Sequence, residues 1–179
     1  MILLSLLLFV TIIKKPACIL LIDFSKAFDS ISHDYIYETL RFFNFGDYFI
    51  KIVKTMLTGR TCTVMIDGFE TKPFNIERGV PQGDTASPYL FILVLEILLL
   101  RIMLDDDVTK VRIMKDNYRP EDGGNLWIPV LQCFADDMTC VIEKTEKNLV
   151  AMKGIFKDFA SLSGLEINEK KTKVVRIGT

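Results

Sequence analysis

VLQCFADDMTCVI, Val130 to Ile142, sets two short apolar arms on either side of a pair of aspartates. Apolar runs of this length bounded by turn residues read as buried strands, so Val130–Ala135 and Met138–Ile142 are expected to form a hairpin with Asp136 and Asp137 at its tip. A hairpin is antiparallel, and that decides the class of sheet. Upstream, CILLI, Cys18 to Ile22, is another short continuous apolar run and ends on Asp23. Asp67-Gly68 separates Thr61–Ile66 from Glu70–Glu77 and is a strong hairpin signal. Lys173–Ile177 reads as a last strand.

Helical stripes lie between these strands. Ser32 caps a helix carrying Ile36, Leu40 and Phe43 and ending near Gly46. Tyr48, Phe49, Ile52, Val53, Met56 and Leu57 mark a second helix, closed by Gly59. Ser87-Pro88 reads as N-cap and first helical residue of an apolar helix through Leu104, and an all-round apolar helix is expected in the core. Leu149, Met152, Ile155, Phe156, Phe159 and Leu162 form a stripe that stops at Gly164. Asp105 to Gly124 reads as a connecting loop, with Asp105–Asp107 solvated. Strands, hairpins and helices together predict an α+β fold, an antiparallel sheet with helices packed on one face.

The composition bounds the function classes. The 179 residues are half hydrophobic, which excludes a mainly disordered chain, and 10 Gly with 6 Pro exclude a collagenous one. Lys and Arg number 22 against 23 Asp and Glu, which speaks against a free-standing DNA-binding module. Cys18, Cys62, Cys133 and Cys140 lie far apart without a C-x-x-C pair, so neither a zinc site nor a disulfide framework is expected, and a reducing compartment follows. Met1 to Ile13 is apolar but for Ser5 and Thr11 and is too short to span a bilayer, which takes ~20 residues. A buried element is its simplest reading, with a secretory or membrane role and a truncated reading frame as the alternatives.

Asp23, Asp136 and Asp137 stand beside apolar runs, where an unpartnered carboxylate is costly. A strand-end acid beside two hairpin acids makes a cluster suited to Mg²⁺, which takes one or two carboxylates and shares substrate phosphates. Two such ions ~4 Å apart serve an in-line phosphoryl displacement. Read alone, Asp136-Asp137 also fits a solvated turn, because Asp favours turns.

Four ordered blocks now bear on the choice: LIDFSKAFDSISHD (Leu21–Asp34), RGVPQGDTASPYLF (Arg78–Phe91), FADD (Phe134–Asp137) and SGLEINEKKTK (Ser163–Lys173). With them the chain resembles the reverse transcriptases of LINE-type, non-LTR retrotransposons, over about Cys18 to Ile177. The resemblance implies that residues 18–179 are a palm domain, that residues 1–17 are an apolar segment outside it, and that fingers and thumb are largely missing. It implies RNA-directed DNA polymerase activity by two-metal-ion nucleotidyl transfer. Asp23, Asp136 and Asp137 would hold two Mg²⁺ ions, with Mn²⁺ as substitute. Phe28 would be the steric gate against a 2′-hydroxyl, and Gln82 and Gly83 the turn along the nucleotide. Lys171 would act at the pyrophosphate leaving group, with Lys170 and Lys173 as rivals.

The implied partners are an RNA template, a DNA primer and deoxynucleoside triphosphates, with no stable membrane association and a nuclear or cytoplasmic location. Arg60 and Lys72 are candidate phosphate contacts, though surface charge is the better account of them. Asp29 and Asp84 read as helix-start residues, and His33, the one histidine, as structural. An inactive retroelement remnant or nucleic-acid-binding scaffold is the alternative from another class, and an intron maturase the alternative within the family. A palm concentrates acids at its metal site, which reconciles the near-zero charge with a nucleic-acid partner.

Overall fold

The computed structural model describes residues 17–109, 130–134 and 137–177. Residues 1–16 of the apolar segment expected over 1–17, the connecting loop beyond Thr109, and Asp136 lie outside them, whereas Ala17 belongs to the first strand. Two compact units are distinguished, residues 1–24, 99–157 and 167–179 forming one and residues 25–98 with 158–166 the other.

The first unit is built on a four-stranded antiparallel sheet. Its strands are β1 (Ala17–Asp23), β6 (Val130–Phe134), β7 (Asp137–Glu143) and β8 (Lys173–Ile177), in the order β6-β7-β1-β8. The apolar run of β1 becomes an inner strand because it has ladder partners on both edges, Ala17–Asp23 against β7 and Ala17–Leu21 against β8. Cys18, Ile19, Leu20 and Ile22 are buried, as are Met138, Cys140, Val141 and Ile142. Burial at successive positions means that both faces of β1 and β7 are covered, because alternate residues point to opposite faces. Phe134 pairs with Asp137, so the expected hairpin forms, but Asp137 is the first residue of β7 and not part of the turn. Asn148 joins the sheet to its flanking segments. Its Oδ1 accepts from Thr109 N at 2.8 Å, while Nδ2 donates to Thr109 O and Glu143 O at 3.2 and 2.9 Å. Asp107 lies exposed beyond them, paired with Lys147 at 2.9 Å.

The second unit carries α1 (Ala27–Ser30), α2 (His33–Phe42) and α3 (Asp47–Leu57), then four two-residue strands. Ser32 caps α2 as expected, its Oγ accepting from Tyr35 N at 3.4 Å, and Ile36 and Leu40 are buried. In α3 the buried stripe is Ile50, Val53 and Leu57, while Tyr48, Phe49, Ile52 and Met56 are exposed. The helix carries apolar residues on two sides, and periodicity alone does not say which side is covered.

Asp67 and Gly68, both with positive φ (49° and 84°), turn β3 (Met65–Ile66) into β4 (Phe69–Glu70), and β2 (Thr61–Cys62) pairs with β5 (Phe74–Asn75). The expected long hairpin is split into these pieces. Thr71 Oγ1 takes the Val64 N–H at 3.0 Å, and Pro73 has no N–H to give a ladder.

Two longer helices, α4 (Ser87–Leu104) and α5 (Glu146–Ser163), have residues in both units. Leu90 N donates to Ala86 O at 3.1 Å, which makes Ala86 the capping position and Ser87 the first helical residue, one step earlier than the Ser-Pro signal suggests. Asp84 Oδ1 accepts from Ala86 N at 2.8 Å and stabilises the approach to the helix. Phe91, Val94, Leu95, Leu98 and Ile102 are buried, but Tyr89, Ile92 and Leu104 are exposed, so α4 is not covered all round. In α5, Met152, Ile155, Phe156 and Phe159 are buried, whereas Leu149 and Leu162, at the stripe's ends, are exposed.

Candidate active site

In the sheet unit, Asp23 and Asp137 are register partners, the last rung of the β1–β7 ladder. Opposed residues of an antiparallel pair have Cα atoms about 5 Å apart and side chains on the same face. Their inner neighbours Ile22 and Met138 are buried on the other face. Two carboxylates held this way repel one another unless a cation lies between or beside them. Asp23 is the more enclosed. Its Oδ2 is buried without a hydrogen-bond partner among the described residues.

The chain after α5 returns to Asp23 and fixes its backbone by hydrogen bonds. Phe24 bridges to Ile167, Asn168 N donates to Asp23 O at 2.8 Å, and Asp23 N donates to Thr172 Oγ1 at 3.4 Å. The intervening turn is closed by Asn168, whose carbonyl accepts from Lys171 N and Thr172 N at 3.1 and 2.8 Å. Lys171 is thereby delivered to the carboxylate, with Nζ 3.6 Å from Asp23 Oδ2. That is ion-pair range but too long for a hydrogen bond, and the lysine side chain is 69% exposed, so the pairing is weak. Lys170 and Lys173 are exposed. A hard, oxygen-seeking divalent cation suits this donor set: two carboxylates on one rung, one with a buried oxygen that accepts no hydrogen bond among the described residues.

In the second unit, Phe28 and Phe91 rings stack with centroids 4.8 Å apart and planes at 21°. The loop of the second block is bonded onto the segment bearing Phe28. Gly79 N donates to Ile31 O and Val80 N to Phe28 O, both at 2.7 Å. Gly79 has φ +83°, and a Cβ there would lie 2.8 Å from Phe28 O and Asp29 Cα, so only glycine permits this approach. Gln82 and Gly83 are exposed at the loop's outer end, with Gln82 Nε2 donating to Asp29 Oδ1 at 3.4 Å. An aromatic ring held by a second ring thus lies on the segment to which this loop, with its exposed amide, is bonded.

Arg60 lines a separate cleft of about 390 Å³ with His33, Asp34, Tyr37 and Glu77. Burial first, and Asp34 second, raise the Tyr37 phenol above its usual range. Lys72 is exposed in the hairpin region. Asp136 lies outside the described residues.

Sequence reasoning passed over Asn168 and Thr172, which hold Asp23, and the Asp29–Gln82 contact. An Asn four residues ahead of a Thr, just after a glycine that ends a helix, is the turn signal that marks the first pair.

Against known proteins, residues 6–177 match the family described as "Reverse transcriptase (RNA-dependent DNA polymerase)". The chain is 36% identical over 156 residues to the "Retrovirus-related Pol polyprotein from type-2 retrotransposable element R2DM" of Drosophila melanogaster, covering 87% of this chain and 13% of that protein. It is 29% identical over 168 residues to the Pol polyprotein of the type-1 retrotransposable element R2 of Popillia japonica, covering 92% of this chain and 21% of the relative. The chain therefore spans a small part of these relatives' length. Among solved structures, telomerase from Candida albicans in complex with a fragment of telomeric RNA has a TM-score of 0.64 at 15% identity, covering 98% of this chain and 29% of that one. Telomerase from Candida tropicalis gives 0.61 at 14%, covering 90% and 26%. At these identities the likeness shows the fold.

Proposed function

The chain belongs to the reverse transcriptase (RNA-dependent DNA polymerase) family, and from that membership we propose that it is the palm portion of a non-LTR retrotransposon polymerase that copies RNA into DNA. The primer 3′-oxygen attacks the α-phosphorus of a deoxynucleoside triphosphate. The bond from that phosphorus to the bridging oxygen breaks, pyrophosphate leaves, and the hydroxyl proton passes to solvent. The substrates are a primed RNA template and deoxynucleotides, and the setting is intracellular.

The observation that carries this reading is the Asp23–Asp137 rung with its buried Asp23 Oδ2, which has no hydrogen-bond partner among the described residues. Asp23 and Asp137, with Asp136, would hold the divalent ions that the family uses, Mg²⁺ in this proposal. When bound, such ions supply Lewis-acid activation and charge neutralisation. Lys171, already drawn to Asp23, brings a positive charge to steady the pyrophosphate as it departs. The Phe28 ring, backed by Phe91, cannot yield easily to a 2′-hydroxyl and so selects deoxynucleotides. Gln82 offers an amide to orient the nucleotide. Positioning and charge stabilisation dominate in such transfers.

Primer extension on a primed RNA template tests the proposal. Extension in Mg²⁺ is expected from the wild type and abolished in Asp136→Ala and in Asp137→Asn. Phe28→Val should admit ribonucleotides. Extension that survives both aspartate changes overturns the assignment. Binding of primed template without extension would favour an inactive remnant.

A further inference from the structure

His33 is the single histidine of the chain, and the reaction proposed above assigns it nothing. Its Nε2 lies 2.8 Å from Gly79 O. A carbonyl oxygen only accepts, so Nε2 carries the proton and donates. The backbone that carries the imidazole is anchored, because His33 opens α2 and the preceding Ser32 is tied down on three sides. Ser32 N donates to Ser163 O at 2.7 Å, its Oγ accepts from Tyr35 N, and it forms a bridge with Arg78.

The bond matters because of what Gly79 is. The two N–H bonds from Gly79 and Val80 fix one side of the loop. The Gly79 carbonyl lies in the same rigid peptide plane as the Val80 N–H, which Phe28 O holds from the other side at 2.7 Å. The His33 donor on the carbonyl is the second anchor of that plane, and the one supplied by a side chain. Beyond it, Pro81 leads to Gln82, whose own contact with Asp29 is long at 3.4 Å and exposed. The setting of Gln82 beside the Phe28–Asp29 segment thus depends on how firmly the Gly79–Val80 peptide is held at both of its ends.

We propose that His33 is a positioning residue for the incoming nucleotide: by donating from Nε2 to Gly79 O, it holds the Gly79–Gln82 loop in the orientation that sets Gln82 against Phe28. This rests on the reading of Phe28 and Gln82 as nucleotide contacts. It touches neither nucleotide nor metal itself.

The test compares wild type, His33→Ala, His33→Gln and His33→Asn in the full chain, by steady-state primer extension and by fluorescence-detected binding of a deoxynucleoside triphosphate. Loss of one such hydrogen bond predicts a KM for deoxynucleotide raised about five- to ten-fold in His33→Ala, with kcat changed less and discrimination against ribonucleotides reduced. The longer Gln side chain places an amide N–H near Nε2 and restores most of the KM, while the shorter Asn does not. If His33→Ala does not fold, the ordering of Gln over Asn carries the test alone. Equal KM values for Gln and Asn, or an unchanged KM and discrimination in His33→Ala, overturn the inference and leave the polymerase reading standing. A wild type that neither binds nor incorporates deoxynucleotides overturns both.

Discussion

Asp23 and Asp137 face each other across the last rung of the β1–β7 ladder, two acids at a place where most sheets put an apolar or oppositely charged pair. Their side chains share a face, and the buried Asp23 Oδ2 has no hydrogen-bond partner among the described residues. Like charges directly opposed in a sheet are destabilising. The rung is therefore a local cost, and in the proposed function a bound cation would offset it.

A first prediction concerns that cost. In cation-free buffer Asp137→Asn should leave the chain as stable as wild type or up to about 1 kcal/mol more stable. With Mg²⁺ at a hundredfold excess over its dissociation constant, wild type should gain about 2.7 kcal/mol and the variant much less. Thermal melts with and without MgCl₂ check both. Equal gains in the two proteins would remove Asp137 from the cation site.

Lys171 competes for the same oxygen. Its pair with Asp23, at 3.6 Å and largely exposed, is worth no more than about 1 kcal/mol. Lys171→Met should cost little stability in the metal-free chain and should tighten cation binding, because it removes a fixed positive charge beside Asp23. Terbium luminescence titrations would detect the change, and weaker binding in the variant would contradict it.

The glycines of the second unit differ sharply in what they permit. Gly79→Ala adds a Cβ 2.8 Å from backbone atoms at φ +83°, and should destabilise by about 2–4 kcal/mol. Gly164→Ala, with Ser30 O at 2.6 Å from the added Cβ, should behave alike. Gly68 has φ +84° but open space, so Gly68→Ala should cost only about 1 kcal/mol. Urea unfolding of the three variants gives the ranking.

Cys140 supplies the pH prediction. Burial first, then Cys133, pushes its thiol up from 9.0 to about 12. Above pH 9 the unfolded thiol releases its proton while the folded one keeps it, so the unfolded state binds fewer protons and stability falls as pH rises from about 9 towards 12. Wild type should lose more stability than Cys140→Ala over that alkaline limb, as measured by chemical denaturation. At pH 8 an aromatic disulfide reagent should modify Cys62 readily and reach buried Cys140 only after unfolding.

Much of the local structure was legible in the chain. The Asp67-Gly68 turn, the Ser32 cap and the Ile36–Leu40 stripe follow from turn chemistry, side-chain acceptors and helical period, each of which acts over a few residues. Errors arose where apolar residues outnumber the surface that neighbours cover. In α3 the buried set is Ile50, Val53 and Leu57, and in α5 Leu149 and Leu162 stay exposed. The acids Asp23 and Asp137 were legible as anomalies beside apolar runs, but Asp137 was expected in a turn and proves to be a paired strand residue.

By itself, then, the amino-acid order determined the family blocks, the element types and which acids are out of place, because pattern, capping and turn propensity are local. Only the tertiary structure decided that β1 is flanked by β7 and β8, that Asp23 therefore meets Asp137, and that the lysine brought to Asp23 is Lys171. Those outcomes come from strand register and from main-chain bonds between distant segments, such as Asn168 N to Asp23 O. Backbone hydrogen bonding of that kind is chemically the same at nearly every residue, so side-chain identity leaves it unwritten until the chain has folded.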